Sequence, residues 1–477
     1  MTDKVIQSDS NFDSSGSWAG LHLLRSRMSG NAAPDSDPQF DALVEPTNGC
    51  VRTERVVVED VKESAIDRGE QTQTPPRGDL QASHRWLRAE HQAFTYGAVY
   101  DSYFATEIGW KRFWSRDRTG LVSYRRLGRY VKVIGGLLAR DEDKPRLLRE
   151  FAAFARSHRL LVTFFNVTEE DAALFREHGF QVTKWGEEPF VDLQTCTWSG
   201  KQFEWVRRQT NYCRRAGISI IEHRREEMHA SAWTSLIKDL RAVSDEHLAT
   251  KSHAGTIQLL EGQLDENGWG RRRLFVAYSC DSPKRIEGFL IALPSRNGRH
   301  WAFEMYRHRR DSVRGVVPHL FHTAMMRMKD EGIEAVSLCL VPAVGCERPL
   351  DGDSAMTRHA LTIGLKYLNF LFDFAGIYHF KSRFRPRYEG RYICALPGTT
   401  LLTSLALARM SGMLAFSFKR AASNLIQKHF KRRQRALLAA HPRPLLAGAQ
   451  PAERLANAAN GVRNGRKPRV TVQSDIH

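Results

Sequence analysis

The residues best suited to bind an anion lie in one short stretch, YHFKSRFRPRYEGRY, at positions 378–392. If this stretch is a strand, its period of two places four cations on one face: Lys381, Arg383, Arg385 and Arg387. The proline at position 386 favours an extended backbone before it, which supports a strand. Arginine binds phosphate through paired N–H groups, and lysine binds it as a point charge. The stretch therefore predicts either a phosphate-binding strand or a solvated basic edge strand.

Two further groups of side chains could take part in chemistry. Glu304 and Arg307, three residues apart in the sequence FEMYR, could position a substrate or transfer a proton, or they could simply pair with each other. Four arginines lie in a predicted helix and could contact an RNA backbone or form a solvated face: Arg207, Arg208, Arg214 and Arg215.

The composition is that of a strongly basic protein that can build packed cores. The 477 residues include 71 Lys plus Arg against 53 Asp plus Glu, a formal charge of +18, and 42% are hydrophobic. Such a charge favours nucleic acid or an anionic bilayer as a partner. Seven cysteines without a CxxC pair indicate neither a disulfide framework nor a zinc site and favour a reducing, cytosolic compartment. We expect neither a signal peptide nor a membrane-spanning helix.

The elements that must position these residues alternate between strand and helix. Residues 121–134 predict two strands joined at Gly128, and a helix with Pro145 in its first turn follows. The apolar run 160–167 predicts a buried strand, and Thr168 can cap a second helix. A similar order recurs later: strands at 289–294 and 301–306, a helix at 316–330, and a buried strand at 333–341. This alternation predicts an α/β layered fold.

Several of these stretches resemble one known family. The pattern of Phe380, Lys381, Phe384, Pro386, Arg391 and Tyr392 is similar to the terminal signature of the phosphatidylglycerol lysyltransferase C-terminal family. Residues 124–136, 186–217 and 303–315 resemble its early strand pair, its connector into a basic helix and its acid-x-x-Arg motif, so the resemblance covers roughly residues 90–400. Two positions depart from the pattern: Glu304 replaces the usual Asp, and Gly135–Gly136 replaces Gly-Asp-Pro.

The resemblance implies a fold of two tandem GNAT acetyltransferase-like domains joined by a basic helix. On this basis we predict the following organisation: a disordered region at 1–85, a first acetyltransferase-like domain at 86–197, a basic linker helix at 198–225, a second, catalytic domain at 226–398, and a basic, amphipathic and partly disordered tail at 399–477. The apolar start of that tail and its later basic run could lie in a membrane interface.

The resemblance also implies a reaction. A lipid hydroxyl, such as that of phosphatidylglycerol, attacks the ester of an aminoacyl-tRNA, so the expected partners are aminoacyl-tRNA and an anionic phospholipid. No cofactor or metal is expected, and the protein would act at the inner face of the cell membrane. The catalytic candidates are Glu304, Arg307 and Lys381. The substrate-binding candidates are Arg383, Glu389 and Arg391 for the lipid anion, and the four linker arginines for tRNA.

Two other functions remain open from the sequence. A GNAT-type N-acyltransferase would bind the CoA pyrophosphate at a glycine-rich turn before a helix. The corresponding segment here, 310–318, has a single glycine, which disfavours CoA. The third possibility is a non-catalytic relative that binds tRNA or membrane, which the change from Asp to Glu at position 304 leaves open. The amino acid, the lipid and the oligomeric state are not determined by the sequence.

Overall fold

The computed structural model describes residues 80–250, 261–265, 268–280, 284–367 and 374–413. The predicted basic run from Lys419 onward and residues 1–79 lie outside these ranges. The first described helix spans Leu80–Tyr96 and crosses the boundary predicted at residue 85.

One mixed sheet runs through the part of the chain that the structure describes. Its twelve strands are β1 (Lys111–Trp114), β2 (Leu121–Leu127), β3 (Tyr130–Leu138), β4 (Leu161–Val167), β5 (Gln181–Asp192), β6 (Ser219–His223), β7 (Arg273–Tyr278), β8 (Ile286–Ser295), β9 (His300–His308), β10 (Ala335–Ser337), β11 (Val341–Pro342) and β12 (Arg387–Leu396). Their spatial order is β1-β2-β3-β4-β12-β5-β10-β9-β8-β7-β6, and β11 pairs with β5.

Helices cover the sheet. Within the described ranges they are α1 (Leu80–Tyr96), α2 (Lys144–Ser157), α3 (Glu169–Glu177), α4 (Glu204–Arg215), α5 (Ala230–Ala249), α6 (Val316–Asp330), α7 (Ala355–Tyr367), α8 (Phe374–Ser382) and α9 (Leu401–Met410). None of them combines the length and the apolar composition that crossing a bilayer requires.

The two halves of the chain repeat one arrangement. In the first half β1, β2 and β3 form an antiparallel meander, and α2 leads into β4, which lies parallel to β3. In the second half β6 to β9 form the meander, and α6 leads into β10, which lies parallel to β9. This repeat confirms the predicted α/β class and gives two halves of similar topology. The basic helix α4 lies between the halves in sequence and packs with α6 over one core.

Local sequence explains most of these elements. Gly128 adopts a left-handed φ of 57° at the β2–β3 turn, which only glycine takes without strain. The Thr168 hydroxyl accepts a hydrogen bond from the Asp171 amide at 3.2 Å and so caps α3 as predicted. The predicted helix at 316–330 is confirmed as α6.

Two strand predictions are wrong. The stretch 378–392 is not one strand, because α8 continues to Ser382 and β12 begins only at Arg387. Phe380 and Phe384 contact each other at 5.6 Å between ring centroids, a helical spacing that packs both rings toward α6. The four cations therefore do not share a strand face. The strand predicted at 333–341 also breaks after Ser337 and resumes briefly as β11.

The last strand joins the two halves. β12 follows the second half in sequence, yet it lies antiparallel between β4 and β5 of the first half. There Arg391 Nε donates to Glu188 Oε2 at 2.6 Å, and both side chains are at most 1% exposed. The domain boundaries predicted from the sequence stay a prediction, but the sheet is continuous through both segments.

We predict that removing one partner of this buried pair strongly destabilises the fold. The change Arg391→Met leaves the Glu188 carboxylate buried without its guanidinium and should lower the free energy of unfolding by about 3–5 kcal/mol. The matched control is Arg387→Met on the same strand, whose ion pairs with Asp192 and Glu389 are partly exposed and should each contribute less than about 1 kcal/mol. Urea unfolding of both variants measures the difference, and equal losses would contradict the prediction.

Candidate functional site

Glu304 lies at a β-bulge on β9. The bulge interrupts the regular alternation of side chains between the two faces of the sheet. Met305 pairs with Ile291 and Phe303 pairs with Ala292, so Glu304 is an extra residue on β9 with no partner on β8. Such β-bulges often re-aim a side chain next to an active site. Glu304 is 6% exposed, and its Oε1 accepts a hydrogen bond from the Gly262 amide.

Burial determines the ionisation of this carboxyl. The pKa of Glu304 is raised to about 8, mainly by desolvation and also by the nearby carboxylates of Glu107 and Glu261, whereas the Gly262 amide and Arg307 oppose the rise. Glu304 therefore keeps its proton at neutral pH. A protonated carboxyl can donate a hydrogen bond or a proton.

Arg307 does not form the ion pair with Glu304 that was considered from the sequence. Its Nη2 lies 2.5 Å from Oε2 of Glu261, and its Nη1 donates to the Tyr306 carbonyl at 3.2 Å. The segment 261–265 is also held through the Gln263 amide, which donates to Oε1 of Glu107 at 3.0 Å. Arg307 thus holds this segment against β9, where the amide of Gly262 donates a hydrogen bond to the Glu304 carboxyl.

Lys381, near the end of α8, reaches the point where β10 breaks. Its Nζ donates to the carbonyl oxygens of Cys339 at 2.9 Å and Leu340 at 3.1 Å. Cys339 has a left-handed φ of 62°, which removes these carbonyls from the sheet ladder. An ammonium has three hydrogens, so these two bonds leave one for a substrate. Burial lowers the pKa of Lys381 to about 8, against the effects of Cys339, Glu188 and Glu261.

Lys381 and Glu304 are brought together through Cys339. The Cys339 thiol donates to the Phe303 carbonyl at 3.3 Å, directly before Glu304 in the chain. After burial, the groups that shift the pKa of this thiol include both Lys381, which lowers it, and Glu304, which raises it. A proton-carrying carboxyl and an ammonium therefore share one buried region.

A chain of hydrogen bonds fixes the break in β10. Ser337 Oγ donates to Oε1 of Glu188 and accepts from the Cys339 amide at 2.9 Å. Arg391 holds the other oxygen of Glu188. Three strands, β12, β5 and β10, are thus linked to the carbonyls that Lys381 binds. Sequence reasoning did not identify Glu188, Ser337 or Cys339 as site residues, although Ser337 and Cys339 are unusual in the apolar run 333–341.

The structure separates the other predicted anion-binding residues. Arg391 is buried, and its Nη2 donates to Oε2 of Glu389 at 2.9 Å, so acids within the protein offset its charge. Arg383 is half-buried; its Nη2 lies 2.9 Å from Nε2 of His379, and its guanidinium lies 5.6 Å from the Trp205 ring. A role for Arg383, Glu389 and Arg391 in binding substrate stays a prediction.

The linker arginines divide in the same way. Arg207 donates to the carbonyls of Trp198 and Gly200 at 2.9 and 2.7 Å, which is a structural role. Arg214 is exposed, and its charge lowers the pKa of the neighbouring His319 and His322, where burial is the larger cause. A surface depression of about 430 Å³ has six lining residues: Arg208, Gln209, Asn211, Tyr212, Arg215 and Arg314.

The profile of one protein family, phosphatidylglycerol lysyltransferase, C-terminal, matches residues 95–395 of the chain. A phosphatidylglycerol lysyltransferase of Bacillus subtilis (strain 168) is 25% identical over 314 residues, 64% of this chain and 34% of that protein. One of Staphylococcus xylosus is 23% identical over 289 residues, 60% of this chain and 33% of that protein. The chain thus spans about a third of the length of the curated relatives it matches.

Two solved structures share the fold. L-PGS from Bacillus licheniformis has a TM-score of 0.56 and 23% identity, and the match covers 70% of this chain and 97% of that chain. The C-terminal domain (DUF2156) of a candidate lysylphosphatidylglycerol synthetase from Agrobacterium fabrum has a TM-score of 0.56 and 19% identity, covering 70% and 98%. The predicted resemblance is therefore confirmed.

We predict that Glu304→Gln changes how stability depends on pH. Between pH 4.5 and about 8 an unfolded chain ionises this carboxyl while the folded protein keeps its proton, so the wild type loses stability as pH rises, by up to about 1.4 kcal/mol per pH unit. Glutamine does not ionise, so the variant lacks this loss. The free energy of unfolding of the variant minus that of the wild type should therefore increase as the pH rises through this range.

The matched control has the opposite sign. Arg387 and Arg391 lower the pKa of Glu389 despite its burial, so Glu389 stabilises the fold above the ordinary carboxyl pKa and this contribution is lost as pH falls. Urea unfolding at several pH values should show that the free energy of unfolding of Glu389→Gln falls further below that of the wild type as the pH rises. A pH-independent effect of Glu304→Gln would contradict the assignment.

Proposed function

Because the chain belongs to the phosphatidylglycerol lysyltransferase C-terminal family, we propose that it transfers lysine from an aminoacyl-tRNA to a hydroxyl of phosphatidylglycerol at a membrane surface. The names of its relatives supply the amino acid and the lipid. The observation that carries the proposal is the shared buried site, in which the protonated Glu304 carboxyl and the Lys381 ammonium lie beside the kink at Cys339.

This arrangement fits a transesterification. The lipid hydroxyl attacks the ester carbonyl, and the ribose hydroxyl of the tRNA leaves. The third hydrogen of Lys381 can donate to the oxyanion that develops, a contribution that is large in a site without water. The proton of Glu304 can pass to the leaving ribose oxygen. One ester replaces another, so the reaction as written needs no nucleotide hydrolysis.

The cationic depression on α4 suits the tRNA. Three arginines in it, Arg208, Arg215 and Arg314, are exposed, and guanidinium groups bind phosphate through paired N–H groups. Glu204 lies 3.3 Å from Arg208 and offsets part of the charge. Tyr212 is half exposed there and could stack on a base. We assign the acceptor end of the tRNA to this surface.

The exposed face of α9 suits the lipid surface. Leu401, Leu402 and Leu405 are 74%, 65% and 53% exposed, whereas Thr403 and Leu407 pack inward. The sequence after residue 418 is rich in Lys and Arg, and such clusters are attracted to anionic lipid. We therefore place the protein peripherally on the inner face of the cell membrane.

The packing of α4 disfavours a CoA-dependent acyltransferase. The backbone at Gly315, where the pyrophosphate of an acyl-CoA would be expected, is in contact with Gln209 of α4, and a Cβ at Gly315 would lie 2.8 Å from Gln209 Oε1. Cys213 of the same helix donates to the Arg314 carbonyl at 3.4 Å. The linker helix thus packs against the turn before α6.

We predict that Lys381→Met abolishes most of the transfer. Purified protein is incubated with radiolabelled lysyl-tRNA and vesicles of phosphatidylglycerol, and label is counted in the organic phase. Loss of one oxyanion donor should reduce the turnover number by about 100- to 1,000-fold. The matched control is Lys329→Met, because Lys329 also donates to a backbone carbonyl, that of Cys196 at 2.7 Å, but on another surface.

The outcomes separate the function from the site. If the wild type moves no label from lysyl-tRNA or any other aminoacyl-tRNA into lipid, the proposed function is wrong. If transfer occurs and Lys381→Met retains the wild-type rate, the function stands and the assignment of Lys381 is wrong. The Lys329→Met protein should transfer at the wild-type rate.

A further inference from the structure

We propose that Asp101, in the first half of the chain, is a catalytic base that accepts the proton of the attacking lipid hydroxyl. The reaction would then use one carboxyl from each half, with Asp101 as the base and Glu304 as the acid. This inference rests on the proposed function, and no comparison or sequence motif assigns Asp101 a role.

In both halves the pairing of the two parallel strands ends at an equivalent place, and the strands separate there. The last parallel pair is Val133 with Phe164 in the first half and Ala302 with Ser337 in the second. Two residues beyond each last pair the backbone turns left-handed, at Asn166 with φ 59° and at Cys339 with φ 62°. Such conformations are uncommon for residues other than glycine and occur often at functional sites. Since Cys339 forms the kink beside Lys381, Asn166 marks the corresponding position of the first half.

Asp101 occupies this second opening. Asn166 Nδ2 donates to Asp101 Oδ2 at 2.6 Å, and Asn166 Oδ1 accepts from Trp185 Nε1 at 2.9 Å, which fixes the orientation of the amide. Asp101 is fully buried, and no side chain of the described residues donates to its Oδ1; the backbone amides of Asp101 and Gly135 lie close to the carboxyl. A carboxylate oxygen has two lone pairs, so Oδ1 can accept a hydrogen bond from a substrate hydroxyl.

The opening of the first half faces the site of the second. Asp101 and Glu304 both raise the pKa of the Cys339 thiol, beyond the larger effect of burial, so both carboxyls lie near Cys339. Apolar side chains from both halves pack with Cys339 in one buried cluster, among them Phe165, Trp185 and Ile393. Tyr100, directly before Asp101, belongs to this cluster, and Cys339 also contacts Lys381 and the Phe303 carbonyl, directly before Glu304.

The charges around Asp101 favour a base. The pKa of Asp101 is raised to about 7, mainly by desolvation and also by Glu188, while Asn166 and the nearby amides of Asp101 and Gly135 oppose the rise. The other titratable groups that interact with it are Tyr100, Lys132 and Cys339. Burial thus moves the pKa values of both Asp101 and Glu304 toward neutrality, so that one carboxyl can accept a proton while the other carries one.

The step balances with these two groups. The O–H bond of the lipid breaks, its proton moves to Asp101 Oδ1, and the lipid oxygen forms a bond to the ester carbon. The bond from that carbon to the ribose oxygen then breaks, and the ribose oxygen takes the proton of Glu304. Asp101 returns its proton to solvent and Glu304 regains one, which restores the starting state.

The pH dependence of lysyl transfer tests this assignment. With lysyl-tRNA and phosphatidylglycerol vesicles, kcat/KM of the wild type should rise up to about pH 7 and fall above about pH 8. Asp101→Asn keeps the size of the side chain but should lower kcat/KM by about 100-fold or more and remove the acid limb. Asp101→Glu should restore the acid limb, and Glu304→Gln should lower kcat/KM but keep the acid limb, because Asp101 is intact.

The matched control is Ser102→Ala. Ser102 is buried beside Asp101, and its Oγ donates to the Gly135 carbonyl at 3.0 Å, so its loss disturbs the same turn without removing a carboxyl. Both limbs should persist in this variant whatever its rate. An Asp101→Asn protein that keeps the acid limb would overturn the inference.

The wild-type profile decides the matter even if Asp101→Asn does not fold. Transfer without an acid limb between pH 5.5 and 8 would overturn the role of Asp101 and leave the proposed function intact. No transfer at any pH would overturn the proposed function and this inference with it. A bell-shaped profile that loses its acid limb only in Asp101→Asn supports both.

Discussion

The insertion of β12 between β4 and β5 places an ion pair, Arg391 with Glu188, inside the sheet that joins the two halves. Removing two charges from water is unfavourable unless each finds close partners. Glu188 meets this requirement by also accepting the hydroxyl of Ser337, which in turn holds the amide of Cys339. The ion pair therefore fixes the break in β10, and the break presents the two carbonyls that hold Lys381.

The same burial gives the site its chemistry. Desolvation moves the pKa values of Glu304 and Lys381 toward neutrality from opposite directions, to about 8 for each. Glu304, at the position where the sequence resemblance predicts an aspartate, reaches from the bulge on β9 to the amide of Gly262. The longer side chain is thus accommodated by contact with the segment that Arg307 and Glu261 hold in place.

Local patterns in the sequence predicted the elements whose structure is determined locally. The β2–β3 turn at Gly128 and the cap at Thr168 are examples, whereas the roles of Glu304, Arg307 and Lys381, which the resemblance implies, stay a prediction. The alternation of basic residues at 381–387 was misleading, because the contact of Phe380 and Phe384 with the core favours a helix. Glu188 and Arg391 are 203 residues apart in the chain, and Ser337 is 149 residues from Glu188. No local pattern could predict partners that meet only after β12 enters the sheet.

Burial keeps the Glu304 carboxyl protonated at neutral pH, and the proposed chemistry depends on that proton. Infrared difference spectroscopy of the wild type against Glu304→Gln detects the C=O stretch of a protonated carboxylic acid directly. We expect this band to be present at pH 7 in the wild type, absent in the variant, and lost as the pH rises through about 8. A wild-type protein in which Glu304 shows only carboxylate bands at pH 7 would contradict it.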